Sequence, residues 1–125
     1  MDEDYHEVTL KLPKPPSLNQ YYAGRHWSIR KRQKTGYIKA VQGELEHQVP
    51  FTTERFAISV RYNARYDVDN AIVCCKFVVD YLRAEGYVPN DTPKYFIKQC
   101  TEYDPSLDKD QFVATIKCYG YKRTE

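Results

Sequence analysis

Three aspartates carry the chemistry that this sequence is best equipped to do. Asp67-Val68-Asp69-Asn70 lies between a strand-like pattern and a long apolar segment, and Asp91 ends the loop Gly86-Tyr87-Val88-Pro89-Asn90-Asp91 that follows. In an extended segment residues i and i+2 point the same way, so the carboxylates of Asp67 and Asp69 can face one cation. Two carboxylates with a third from elsewhere suit Mg2+, a hard ion that takes oxygen ligands and keeps several of its waters. Asp91 is the candidate third ligand. A straight intervening helix would separate the two groups by about 20 Å at 1.5 Å rise per residue. Asp91 therefore joins the pair only if its loop folds back or if it comes from a second subunit. The alternative reading of D-x-D-N is a helix N-cap followed by a turn acid.

A second set of residues could meet phosphate. Residues 21–40 hold Arg25, Arg30, Lys31, Arg32, Lys34 and Lys39 with no acid, whereas residues 1–20 hold Asp2, Glu3, Asp4 and Glu7 against two lysines. The net charge is only +2, so it is this segregation that gives an electrostatic footprint for nucleic acid. The same block also reads as a solvated helix face. Asn19, Tyr21 and Tyr22 follow the stiff Pro15-Pro16 turn and either touch a sugar-phosphate backbone or pack their loop. Trp27 offers a π-face to an unpaired base at a branch point, with core packing as its other use. His6 and His47 have no spaced partners. Cys74, Cys75, Cys100 and Cys118 lack zinc spacing and read as reduced structural thiols of a cytoplasmic protein.

The elements that must position these groups follow from periodicity. Val8, Leu10 and Leu12 alternate with polar residues as a first strand of about six residues, stopped by Pro13. Tyr37, Ile38, Val41 and Leu45 mark a helix that starts at Ser28 or Thr35, ends at Gln48 and is bounded by Pro50. Residues 56–62 alternate again. The segment from Asn70 to Arg83 is long for a strand, has Asp69 or Asn70 as N-cap, and reads as a helix ended by Gly86. It is apolar around most of its circumference, which calls for cover on more than one side and points to a second subunit packed on it. Strands near Tyr95–Tyr103 and Phe112–Tyr119 complete a β-α-β-α-β-β order. The expected fold is a single α+β domain over residues 1–125, two layers, with helices on a small mixed sheet. No apolar run is long enough to span a membrane.

Four blocks, in order, resemble the RusA family of Holliday-junction resolvases. Leu12-Pro13-Lys14-Pro15-Pro16-Ser17-Leu18-Asn19-Gln20-Tyr21-Tyr22 resembles that family's proline-rich opening, and Asp67-Val68-Asp69-Asn70 its D-x-D-N. Lys76-Phe77-Val78-Val79-Asp80-Tyr81-Leu82 is similar to its K-x-x-x-D-x-L, and Gly86 to Asp91 to its G-x-x-x-[DN]-D. The resemblance implies metal-binding, catalytic aspartates at Asp67, Asp69 and Asp91, a catalytic lysine at Lys76, and Mg2+ or Mn2+ as cofactor. It implies a dimer that nicks four-way junctions symmetrically. The DNA contacts expected from the basic block and the proline loop are Asn19, Tyr22, Arg25, Trp27, Arg30, Lys31, Arg32 and Lys34. No organic cofactor is expected. Two positions depart from the family. Asn90 stands where an acid is common. Lys76 comes seven residues after Asp69 rather than about four, and three extra helical residues turn it by roughly 60° from the family's position. An i, i+4 pair with Asp80 is the other use for Lys76.

The function expected from sequence is a Mg-dependent endodeoxyribonuclease that resolves Holliday junctions and related branched DNA in recombination and repair. The rivals are a non-catalytic branched-DNA-binding protein of the same fold, and a scaffold protein whose basic block meets a protein partner.

Overall fold

The structure is a computed structural model that describes residues 4–17, 21 and 27–124 of the chain, with the Trp27 side chain left aside. The first strand, β1 (His6–Leu12), buries Val8, Leu10 and Leu12 and exposes the residues between them, as alternation requires. Helix α1 (Trp27–Glu46) sets Tyr37, Val41 and Leu45 on one stripe at i, i+4 and i+8, and that stripe is its buried face. A two-residue strand, β2 (Phe51–Thr52), then leads into β3 (Arg55–Tyr62).

The D-x-D-N segment departs from expectation. Val68–Ile72 forms a 3-10 turn, and α2 (Val73–Ala84) begins only after it. Asp67 precedes the turn and Ile72 precedes α2, and neither makes a side-chain capping bond. The N-cap role expected of Asp69 or Asn70 is therefore absent. At its other end α2 stops as expected. Gly86 adopts φ +79, its N–H bonds the Arg83 carbonyl, and the Tyr87 N–H reaches back to Leu82. This is a Schellman cap, in which glycine takes the left-handed position without steric cost.

Strands β4 (Phe96–Tyr103), β5 (Phe112–Tyr119) and the short β6 (Lys122–Arg123) complete the chain. The main sheet has the order β1-β5-β3-β4, and β2 pairs with β6. β5 runs antiparallel to both β1 and β3, whereas β4 runs parallel to β3 after the crossover through α2. The sheet is thus mixed, within a small α+β domain. Register aligns Val8, Ile116 and Ile58, then Leu10, Ala114 and Val60, then Leu12, Phe112 and Tyr62, as successive rows of one buried face. The opposite face carries Thr9, Thr115 and Ser59 in one row, and Glu7, Lys117 and Ala57 in the next.

The second cover expected over α2 comes from within the chain. Val73, Cys74, Cys75, Phe77, Val78, Val79 and Leu82 of α2 are all buried within a single chain. The sheet covers one side of the helix, and α1 packs on another: Tyr37 bonds Cys74 and lies 5.5 Å from the Phe77 ring. The apolar circumference of α2 therefore demands no second subunit. Among the described residues no helix is long and apolar enough to cross a membrane.

Candidate active site

The cleft beside Asp67 is assembled from three stretches of chain far apart in sequence. β3 ends at Tyr62, whose hydroxyl donates to the Tyr66 carbonyl at 3.0 Å and so shapes the exit toward Asp67. The Tyr66 hydroxyl in turn donates to the Pro15 carbonyl. Lys14 lies 5.1 Å from the centre of the Tyr66 ring and 3.8 Å from the Asp110 carboxylate. The chain at Asn63 is held from the other side by backbone bonds with Gln111 and Asp110 and by a side-chain bond to the Leu107 carbonyl. The proline turn and the D-x-D-N block thus form two walls of one cleft of about 740 Å3, bordered by Lys14, Ser17, Arg65, Asp67, Asn70 and Tyr103.

Both carboxylates of the D-x-D-N block are exposed. Among the described residues neither makes a hydrogen bond or an ion pair. Burial raises the Tyr62 hydroxyl above its ordinary pKa, and the neighbouring Asp67, Tyr103 and Asp69 add to that rise. Their directions are less alike than an extended chain would make them. Asp67 is extended, but Asp69 lies inside a 3-10 turn with about three residues per turn. Asp67 borders the cleft and Asp69 does not.

Asp91 and Lys76 occupy a different place. They border a groove of about 160 Å3 between α2 and the start of β4, with Ile72, Cys75, Val79, Asp80, Phe96 and Gln99. Asp91 lies 3.9 Å from Arg83 near the far end of α2, and its N–H is held by the Asn90 side chain at 2.8 Å. Lys76 is exposed. The i, i+4 pair of Lys76 with Asp80 does not form, because Asp80 is taken by Lys34 of α1 at 2.5 Å. Among the described residues no three His, Cys, Asp or Glu side chains converge to hold an ion. The three carboxylates expected to act together stand apart in one chain: Asp67 borders the cleft, Asp91 the groove, and Asp69 neither.

On α1, Lys31 and Arg32 are exposed, while Arg30 and Lys34 are half-buried. Lys34 bridges α1 to α2 through Asp80, so its charge is already committed within the fold. Asn19, Tyr22, Arg25 and the Trp27 side chain lie outside the described residues. Sequence reasoning missed Lys14, Arg65 and Tyr103 as cleft residues. Lys14 had a signal, since it sits inside the proline-rich string, and Arg65 is two residues from Asp67. Tyr103 had none, because only strand pairing brings it beside Tyr62.

No family model matches the chain, and no curated protein matches it.

Proposed function

We propose that this protein is a metal-dependent endodeoxyribonuclease for branched DNA that resolves Holliday junctions, using Asp67, Asp69, Asp91 and Lys76. The observation that supports this reading is the bond from Tyr66 to Pro15. It joins two blocks that resemble the RusA family into one cleft, although 51 residues separate them in sequence. Exposed carboxylates without partners stand at that cleft, Asp67 on its border and Asp69 two residues on, with two cations, Lys14 and Arg65, on its walls. Carboxylate oxygens are ligands that suit Mg2+ or Mn2+. Lys14, Arg65 and the exposed cations of α1 then bind phosphates and orient the DNA by shape.

A nicking assay on a synthetic four-way junction tests the proposal. Cleavage with Mg2+ or Mn2+ that stops with EDTA is the expected result. An intact junction under every metal condition overturns it. The division of Asp67 from Asp91 favours a second reading, a branched-DNA binder without cleavage. That protein would bind junctions in EDTA with the steep salt dependence of phosphate binding yet never cut them.

A further inference from the structure

The two helices pack on the sheet face that holds Val8, Ile58 and Ile116, and the cleft beside Asp67 opens at the Tyr62 end of β3. The opposite face is a different surface. Glu7, Thr9, Lys98, Cys100 and Glu102 are exposed on it. Its acids stand at the margins, Glu7 on β1 and Glu102 on β4, whereas the middle strands β5 and β3 present Lys117, Arg55 and Arg61 there and no acid. Arg61 is committed to Asp104 at 2.9 Å, so the open charge lies toward the Arg55 end.

At that end the register sets Lys117, Ala57 and Lys98 in one row across three strands. The two lysines have Cα atoms about 10 Å apart, two strand spacings. Because Ala57 between them is short, they wall a depression of about 110 Å3 that Ser59 and Cys100 also line. Among the described residues neither lysine makes an ion pair. Rings border the same place. Lys117 Nζ lies 4.9 Å from the centre of the Tyr5 ring, Tyr5 lies 5.7 Å from Tyr119, and the Arg55 guanidinium lies 5.6 Å from the Tyr119 ring. Tyr5 is 46% accessible, so its ring presents a π-face to solvent beside the depression.

We propose that this bare face binds a single strand of DNA, with a base stacked on Tyr5 and the adjoining phosphate held between Lys98 and Lys117. Aromatic side chains set along a positively charged track are the working parts of single-strand binding. Successive rows of the sheet are about 7 Å apart at 3.4 Å per residue, so ring and cation pair are offset along the strands as base and phosphate are along a nucleotide. A duplex does not fit this chemistry, because its bases already stack on one another. The stacking and the phosphate contact stand apart from the nuclease reading above. The choice of DNA over RNA rests on that reading, since a branch point exposes unpaired DNA.

Fluorescence polarisation of a labelled oligo-dT of about ten nucleotides, with the full chain in EDTA, tests the proposal. Binding is expected, and Tyr5→Ala should weaken it by about 5-fold to 100-fold, the scale of one lost base stack, while Tyr5→Phe keeps it. Lys98→Ala should flatten the dependence of log K on log salt by up to about 0.7, the single-strand value for one phosphate. Cys100 is exposed whereas Cys74, Cys75 and Cys118 are buried, so N-ethylmaleimide labelling reads this face, and bound oligomer should slow it. Absent binding, or binding indifferent to Tyr5→Ala and Lys98→Ala with Cys100 unprotected, overturns the site. Competition by duplex or by polyglutamate as strong as by oligo-dT also overturns it, the second in favour of an acidic peptide. An oligo-rU that binds more tightly than oligo-dT overturns the choice of DNA. Junctions nicked by a chain that ignores oligo-dT leave the nuclease and remove this face, whereas oligo-dT bound by a chain that never nicks upholds the face and overturns the nuclease.

Discussion

Asp67, Asp69 and Asp91 cost the fold little, and the proposed nuclease assigns them to its chemistry. The carboxylates of Asp67 and Asp69 have no partner among the described residues, and that of Asp91 has only a 3.9 Å approach to Arg83 at the surface. Asp67→Asn, Asp69→Asn and Asp91→Asn are each expected to lower junction cleavage by about 100-fold or more, the scale of losing several kcal/mol of metal-borne charge stabilisation. Thermal stability should hold, and junction affinity should hold or rise, because negative charge near phosphate is removed. A variant that cuts at the wild-type rate removes its residue from the site. The buried thiols act in the opposite sense, on stability alone. Burial pushes Cys74, Cys75 and Cys118 up to about 12 from an ordinary value near 9. The folded chain therefore keeps protons that the unfolded chain releases. The stabilisation is complete below about pH 9 and is lost as pH rises toward 12. Urea midpoints should be level from pH 7 to pH 8.5 and fall by pH 11, and a midpoint that stays level to pH 11 contradicts this account.

At the scale of elements, α2 is the keystone of the interior and α1 the polar outer helix. Val78 is fully buried within one chain. Val78→Asp buries a carboxylate without a partner, at a cost of several kcal/mol, and is expected to give unfolded chain rather than a soluble monomer. A folded monomeric variant, read by circular dichroism and light scattering, would show that Val78 faces a second subunit after all. Lys31 and Arg32 of α1 face solvent. Lys31→Ala and Arg32→Ala should each flatten the dependence of log K on log salt by up to about 0.9 for each phosphate the variant no longer neutralises. An unchanged slope would turn this face of α1 away from DNA. Lys34 is different in kind: its bond to Asp80 ties α1 to α2, so Lys34→Ala loosens the helix pair as well as removing a charge.

At the scale of the whole molecule, the resolvase proposed above would have to make two coordinated cuts. A dimer with two such clefts would match the symmetry of a four-way junction, in which two strands of like polarity must both be opened. Cleavage of a supercoiled plasmid bearing a cruciform should therefore yield linear product directly, with both nicks made in one bound complex. Accumulation of nicked circles before any linear product would mean that the two sites act independently.

The sequence by itself determined the elements. Alternation in Val8, Leu10 and Leu12 and the helical spacing of Tyr37, Val41 and Leu45 are local patterns, and each element formed on the face its own residues specified. Gly86 ended α2 because only a left-handed residue closes that cap. The proline turn and the D-x-D-N block were legible as separate candidates, but their union was not. A hydroxyl of Tyr66 reaching a carbonyl 51 residues earlier leaves no mark in either string. The 3-10 turn at Val68–Ile72 was likewise hidden, since its residues fit the start of an α-helix equally well. Tertiary structure alone decided that α2 is covered within one chain, because apolar residues on several faces state a need for cover without naming what provides it. It alone decided that β4 lies parallel to β3 at the edge, with Tyr103 at the cleft and Asp91 in a separate groove. Strand order and the meeting of distant side chains depend on how all the buried faces pack at once, and no local period of the chain encodes that.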